Sequence, residues 1–254
     1  GLVTSDIARI KTYLDDIQKE AQARLDENNN CLQERYAIAK VILTLGIRQP
    51  RWPECHVPAF IRELTIEKRQ GKLLDFIKVV VERYKFHPSI SSYQIENEPL
   101  LETFGIGCDT RDRIFLKKEI ELVRSLDSRS IILTDSGELR PWVTPMKLSD
   151  IFGTTLYRTV YNKLIGYASY PALPYFYNIK SNLVRTLFAP QNQKTIIIEL
   201  QAEPWSKNNN LADTDLDEQT ENFTLEDFKD NIAFAKGTGF DEIYLWGVEW
   251  WYFM

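Results

Sequence analysis

Histidine, cysteine, long apolar runs and surplus positive charge are all scarce in this chain, and each scarcity closes off a class of function. The 254 residues contain two histidines, His56 and His87. A metal held by several imidazoles has too few ligands here, so no metal is expected. A Ser-His-Asp hydrolase would need one of these two, and no G-x-S-x-G elbow accompanies them. The three cysteines, Cys31, Cys55 and Cys108, are widely spaced, odd in number and include no CxxC pair. That argues against a disulfide framework and leaves a single bridge open; the cysteines are read as small core residues. No apolar stretch nears the roughly 18 residues of a membrane span. Residues 1–5 show no charged segment leading into an apolar one, so no signal peptide is visible. The compartment is undetermined; a soluble chain exported with its signal removed fits as well as one never exported. The formal net charge is -5, and a nucleic-acid partner, which needs a basic face, is set aside.

What the chain does have is carboxylates, 36 Asp plus Glu, and an aromatic content of 12% within a hydrophobic content of 44%. The hydrophobic fraction suffices for one sizeable core and excludes a disordered chain. Acids, bases and nucleophiles must then be sought among the carboxylates, and no cofactor is called for.

The apolar pattern divides the chain into two styles. Over residues 1–38, Ile7, Ile10, Leu14, Ile17, Ala21 and Leu25 recur at steps of three and four, which predicts a helix capped by Ser5 or Asp6 and ended by Asn28 to Asn30. From Ala39 onward, short β-branched runs alternate with longer amphipathic segments, the grammar of βα units around a parallel sheet. Strands are expected over residues 40–46, 90–95, 131–134, 151–157, 195–198 and 242–246. Helices are expected over residues 71–84, 112–125, 175–188 and 225–236, the last capped by Thr224 with Gly237 just past its end. The polar stretch 207–222 reads as a long surface loop.

Each expected strand runs directly into polar or aromatic residues: Arg48-Gln49-Pro50-Arg51-Trp52, Glu96-Asn97-Glu98-Pro99, Asp135-Ser136-Gly137-Glu138, Tyr157-Arg158, the run from Glu199 to Trp205, and the run from Gly247 to Trp251. Chemistry-capable residues at every strand end fit a (β/α)8 barrel, whose active site lies there; an open doubly wound sheet would gather them at one switch point. Pro99 cannot extend a ladder and marks the end of its strand, which places Glu98 at the barrel mouth. Glu199 closes an apolar run in the same way, 101 residues later, leaving room for three βα units. Two carboxyls about 5 Å apart would serve a retaining glycosidase as acid/base and nucleophile. Glu203 competes with Glu199 for the nucleophile's place, but it sits beside Pro204 in the loop whereas Glu199 adjoins the strand.

The segment from Arg83 to Pro99, ending Tyr93-Gln94-Ile95-Glu96-Asn97-Glu98-Pro99, resembles the fourth strand of the large barrel clan of retaining glycoside hydrolases, which includes cellulases, β-mannanases and β-galactosidases. The resemblance spans Ala39 to Tyr252. It implies that Glu98 is the general acid/base, that Glu199 is the nucleophile and that Asn97 hydrogen-bonds the sugar 2-hydroxyl. It further implies that Tyr157 contacts the nucleophile and that Trp246 or Trp250 lies under the sugar. The chain departs from the clan in one respect. The first two βα units would take roughly 60 to 80 residues, and residues 1–38 are too few and too helical to supply them. An incomplete or modified barrel is therefore expected, open to closure by self-association, and no counterpart of the clan's strand-2 arginine is found.

Other residues are placed with alternatives open. Trp52 and His56 line a sugar subsite or belong to a proline-braced loop; Glu138 and Trp142 contact substrate or do not; His87 is read as structural. Tyr161, Tyr167, Tyr170, Tyr175 and Tyr177 form either a sugar platform or a packed lid. The expected activity is retaining hydrolysis of a β-linked oligo- or polysaccharide. The rival readings are a catalytically impaired carbohydrate-binding remnant and an engineered or fragmentary barrel scaffold.

Overall fold

Strand-forming and helix-forming segments alternate along the chain in the order the sequence predicts. The computed structural model describes residues 40–102, 105–109, 112–162, 166–190, 192–207, 211, 214–247 and 250, with Lys19. The helix expected over residues 1–38, the βα units it was weighed against, and Cys31 lie outside the described residues. The elements are β1 (Val41–Leu45), a 3-10 turn (Ala59–Ile61), α1 (Ile66–Tyr84), β2 (Ile90–Ile95), α2 (Arg113–Leu126), β3 (Ser130–Asp135), α3 (Val143–Leu148) and β4 (Ile151–Leu156). They continue with β5 (Thr159–Asn162), β6 (Gly166–Ser169), α4 (Pro174–Phe188), β7 (Lys194–Gln201), α5 (Leu216–Asn222), α6 (Leu225–Gly237) and β8 (Ile243–Trp246). The fold is mixed α/β. Among the described residues six strands are paired in parallel, not the eight of a complete barrel. No helix among them is long and apolar enough to cross a membrane.

The chain divides into two compact units. The first comprises residues 1–47, 57–95 and 112–131, the second residues 48–56, 96–111 and 132–254. In the first, β1 and β2 pair in parallel from Val41 with Ile90 to Leu45 with Ile95. Helices α1 and α2 pack on each other. They bury Leu73, Ile77, Val80 and Val81 from one and Leu116, Ile120 and Val123 from the other, apolar residues at helical spacing. Asp112 caps α2 by accepting from the Ile114 and Phe115 N–H groups. The Tyr93 hydroxyl donates to Asp127 (2.9 Å), which also receives the Arg129 guanidinium. His87 accepts the Ser89 N–H (3.2 Å) in the turn before β2.

In the second unit the strands run β3-β4-β7-β8, all parallel. Parallel neighbours need crossovers, supplied by α3, α4 and α6. Trp142, Phe152, Tyr177, Ile197 and Leu200 form the centre of its apolar core. Thr224 and Asp227 close a reciprocal capping box on α6. The β5–β6 hairpin is antiparallel and carries Tyr161 against Tyr167, ring centroids 5.2 Å apart.

Two expectations are corrected, and one alternative left open is decided. The stretch 207–222 is not loop throughout: α5 occupies its end, with Asp215 accepting the Asp217 N–H and Asp217 and Glu218 in the first turn. The Asn/Asp richness that reads as loop is also what a helix N-terminus recruits. Trp142 is fully buried, its indole donating to the Ser136 carbonyl (2.8 Å), and serves the core instead of a substrate. Cys55 and Cys108 are disulfide-bonded instead of standing as separate core residues. The bridge ties the loop after β1 to the loop after β2.

Candidate active site

The turn after β2 positions the first carboxylate at a conformational cost. Glu96 and Glu98 both have positive φ, 56° and 44°, a left-handed region that side chains with a Cβ seldom adopt. Hydrogen bonds over-determine the turn. The Glu96 carboxylate accepts the Arg48 N–H, the Asn97 N–H donates to the Arg48 carbonyl (2.8 Å), and the Glu98 N–H donates to Thr134 Oγ1 (2.7 Å). Strain held in this way gathers at functional sites. It leaves the Glu98 side chain 6% exposed, at the wall of a cavity.

The second carboxylate is aimed by a bulge. Along β7, Ile197 pairs across to Thr154 and Glu199 to Thr155, so two residues of β7 advance against one of β4. Regular alternation would put Glu199 on the face of Ile197. Instead Ile197 and Leu200 share the apolar core, and Glu199 faces the cavity. A bulge is the device that re-aims a side chain within a strand. Thr155 then links the two acids: it stands opposite Glu199 in the ladder and its hydroxyl donates to Glu98 Oε1 (3.3 Å). Gly137 closes on the same residue, since a Cβ there would lie 2.5 Å from the Thr155 carbonyl oxygen.

The two glutamates are electrostatically distinct. Burial pushes Glu98 well above the usual carboxylate range, and the charges of Glu199, Glu54 and Asp135 push it further; Arg48 opposes them in part. Burial raises Glu199 as well, but the Tyr157 hydroxyl, the Asn97 side chain and Arg51 act the other way. Tyr157 donates to Glu199 Oε2 at 2.8 Å, and its own titration is pushed up by burial and by the Glu199 charge. Both acids of this coupled pair are thus pushed up, Glu199 to about 8, and the hydrogen bonds from Tyr157 and Asn97 favour the Glu199 anion. Glu199 Oε1 is buried without a hydrogen-bond partner.

The cavity is about 510 Å³, and every residue lining it belongs to the second unit. Of the residues picked from sequence, Glu98, Glu199, Asn97, Tyr157, Trp246, Trp250, Trp52 and Glu138 line it. His56 does not. It is exposed, and its Nε2 lies 3.1 Å from the Arg51 carbonyl oxygen. Glu138 accepts the Tyr177 hydroxyl, and burial raises its pKa. Trp250 is oriented by its indole, which donates to Gln219 Oε1 (2.8 Å). Sequence reasoning passed over Arg51, Glu54 and Trp205, which also line the cavity. Arg51 and Glu54 flank Trp52 in a run already marked for its strand-end position, and Trp205 stacks edge-on against Tyr157 at 5.3 Å. Glu203, the rival nucleophile, has both oxygens engaged by Arg51, at 2.7 and 3.3 Å.

No family model and no curated protein matches the sequence. Solved structures align with part of the chain. An FMN-binding β-glucuronidase from Facaelibacterium prausnitzii L2-6 aligns at 14% identity and a TM-score of 0.46, over 72% of this chain and 26% of that one. A GH2 β-galacturonidase from Eisenbergiella tayi aligns at 16% identity and 0.44, over 70% and 29%. A β-galactosidase from the psychrophilic Marinomonas ef1 aligns at 14% identity and 0.40, over 65% and 39%. None of the three is a cellulase or a mannanase, and the chain spans well under half the length of each.

Proposed function

We propose that this chain carries the active site of a retaining glycoside hydrolase for a β-linked glycan, built on an incomplete (β/α)8 barrel whose third to eighth strands are β1, β2, β3, β4, β7 and β8. The observation that carries the reading is the pair of buried glutamates lining one cavity, Glu199 held through one oxygen by the Tyr157 hydroxyl and with its other oxygen unpartnered. Glu199 Oε1 attacks the anomeric carbon while the bond to the leaving oxygen breaks and Glu98 transfers its proton to that oxygen. Water then attacks the glycosyl-enzyme, Glu98 takes the water's proton, and the Glu199 carboxylate leaves. Asn97 bonds the sugar 2-hydroxyl, Tyr157 holds the nucleophile, and Trp246 and Trp250 offer faces to the pyranose ring. This mechanism places the two carboxyls about 5 Å apart.

Azide rescue of an aryl β-glycosidase assay tests the roles. Glu199→Ala should lose several orders of magnitude in turnover and, with azide, give a glycosyl azide of inverted configuration. Glu98→Ala should accumulate glycosyl-enzyme on an activated aryl glycoside and give an azide of retained configuration. Opposite stereochemistry would exchange the roles, and an inverted azide from Glu203→Ala would move the nucleophile. A wild-type chain that binds sugars by calorimetry but hydrolyses none replaces the enzymatic reading with the carbohydrate-binding one.

A further inference from the structure

The cavity holds more carboxylates than the mechanism uses. Glu54, Glu138 and Glu203 line it beside Glu98 and Glu199, and Arg51 is the one cationic side chain among the described lining residues. The Arg51 guanidinium is turned onto Glu203 through two nitrogens, at 2.7 and 3.3 Å, and lies 5.0 Å from the centre of the Trp246 ring. A planar fork matched to a carboxylate in this way is the strong form of the ion pair. Arg48 is turned to Glu54 and the Leu101 carbonyl, Lys180 to the Gly137 carbonyl, and Arg158 to the Tyr170 and Ala172 carbonyls.

The place of Glu203 is built into the backbone. Gly247 follows β8 with a φ of +89°, and a Cβ there would lie 2.4 Å from Glu203 Cγ. Glycine is what lets the chain close on this side chain.

We propose that the Arg51–Glu203 pair sets the substrate class: the cavity accepts uncharged pyranosides and rejects sugars that bear a carboxylate or sulfate. The inference rests on the glycosidase reading and narrows it. An anionic sugar would enter a largely desolvated wall of carboxylates, where like charges repel strongly. It could gain a cationic partner from the described lining only by drawing Arg51 away from Glu203, which would break the two-nitrogen ion pair of a carboxylate that is only 8% exposed. Glu203 is thus a specificity-determining residue that acts through Arg51, not a second nucleophile.

The test compares kcat/KM for aryl β-glucoside and aryl β-galactoside with the matching glucuronide and galacturonide. The wild type should favour the neutral sugar by about 100-fold or more. Glu203→Gln keeps the shape and releases the guanidinium, so the ratio of uronide to neutral activity should rise at least about tenfold. Glu203→Ala reads the same ratio if the glutamine variant does not fold. The gain should vanish when Arg51→Gln is added. Equal wild-type activity on uronide and neutral glycosides, an unchanged ratio in both Glu203 variants, or a gain that survives loss of Arg51 overturns the inference and leaves hydrolysis standing. If no glycoside is cleaved, calorimetry with methyl β-glucoside and methyl β-glucuronide reads the same selection. Preference for the neutral sugar, narrowed by Glu203→Gln, supports the inference although the enzymatic reading has failed; equal binding, or none, overturns it.

Discussion

Tyr157→Phe removes a single hydroxyl from the site, and its effect has a sign and a size that follow from the structure. That hydroxyl donates to Oε2 of the buried Glu199 at 2.8 Å. A hydrogen bond to a charged group is worth about 1.5–3 kcal/mol, and one pKa unit corresponds to about 1.4 kcal/mol. The bond favours the Glu199 anion, against the burial that already raises this group. Its loss should therefore raise Glu199 by about 1–2 further units. The nucleophile must be ionised, so the acid limb of the kcat/KM profile should move to higher pH by the same amount. Below that limb the variant should run about 10–100-fold slower than the wild type, and the gap should close as pH rises. An aryl glycoside with an activated leaving group is the right substrate, because it makes little demand on the Glu98 proton. A uniform loss at every pH, or an acid limb that moves downward, would refute the argument that Tyr157 acts by stabilising the Glu199 anion.

Glu98→Gln should stabilise the fold in a pH-dependent way. The folded pKa of Glu98 lies above the unfolded value of about 4.3. Its contribution to stability is thus fully present below that value and is lost as pH rises through the folded pKa. Glutamine mimics the protonated form, so the Tm advantage of the variant should be near zero at pH 4 and grow toward pH 8; thermal melts showing a constant gap would contradict this. Replacing Cys55 and Cys108 together by serine opens a covalent loop with a sequence separation of 53. It should cost about 3–5 kcal/mol by loop-closure entropy, read as a lower denaturation midpoint. Identical wild-type midpoints with and without reductant would show that the bridge contributes nothing.

The secondary structure was legible to a degree set by how local its causes are. β2 spans the expected residues 90–95, and α2 starts one residue after the Asp112 cap. α6 follows Thr224 and takes in Gly237, expected just outside it. Misreadings fell where one composition serves two ends. The acid-rich stretch before Phe223 looked like loop and caps a helix. Trp142 was open between substrate contact and none; packing against Phe152 and Tyr177 put it in the core. Glu98 and Glu199 were picked as strand-end carboxylates, and both line the cavity.

The sequence by itself determined which segments alternate as strands and helices and brought carboxylates near strand ends, although β7 runs past Glu199 to Gln201, because periodicity, capping and proline act within a few residues. Only the tertiary structure decided which way those carboxylates face and what surrounds them. The face of Glu199 depends on a bulge, a matter of register between β4 and β7 that periodicity along one strand does not encode. Arg51 meets Glu203 across 152 residues of chain, and Cys55 meets Cys108 across 53. Such pairs are set by how distant segments converge, and the desolvation that raises both glutamates exists only once the cavity wall has formed.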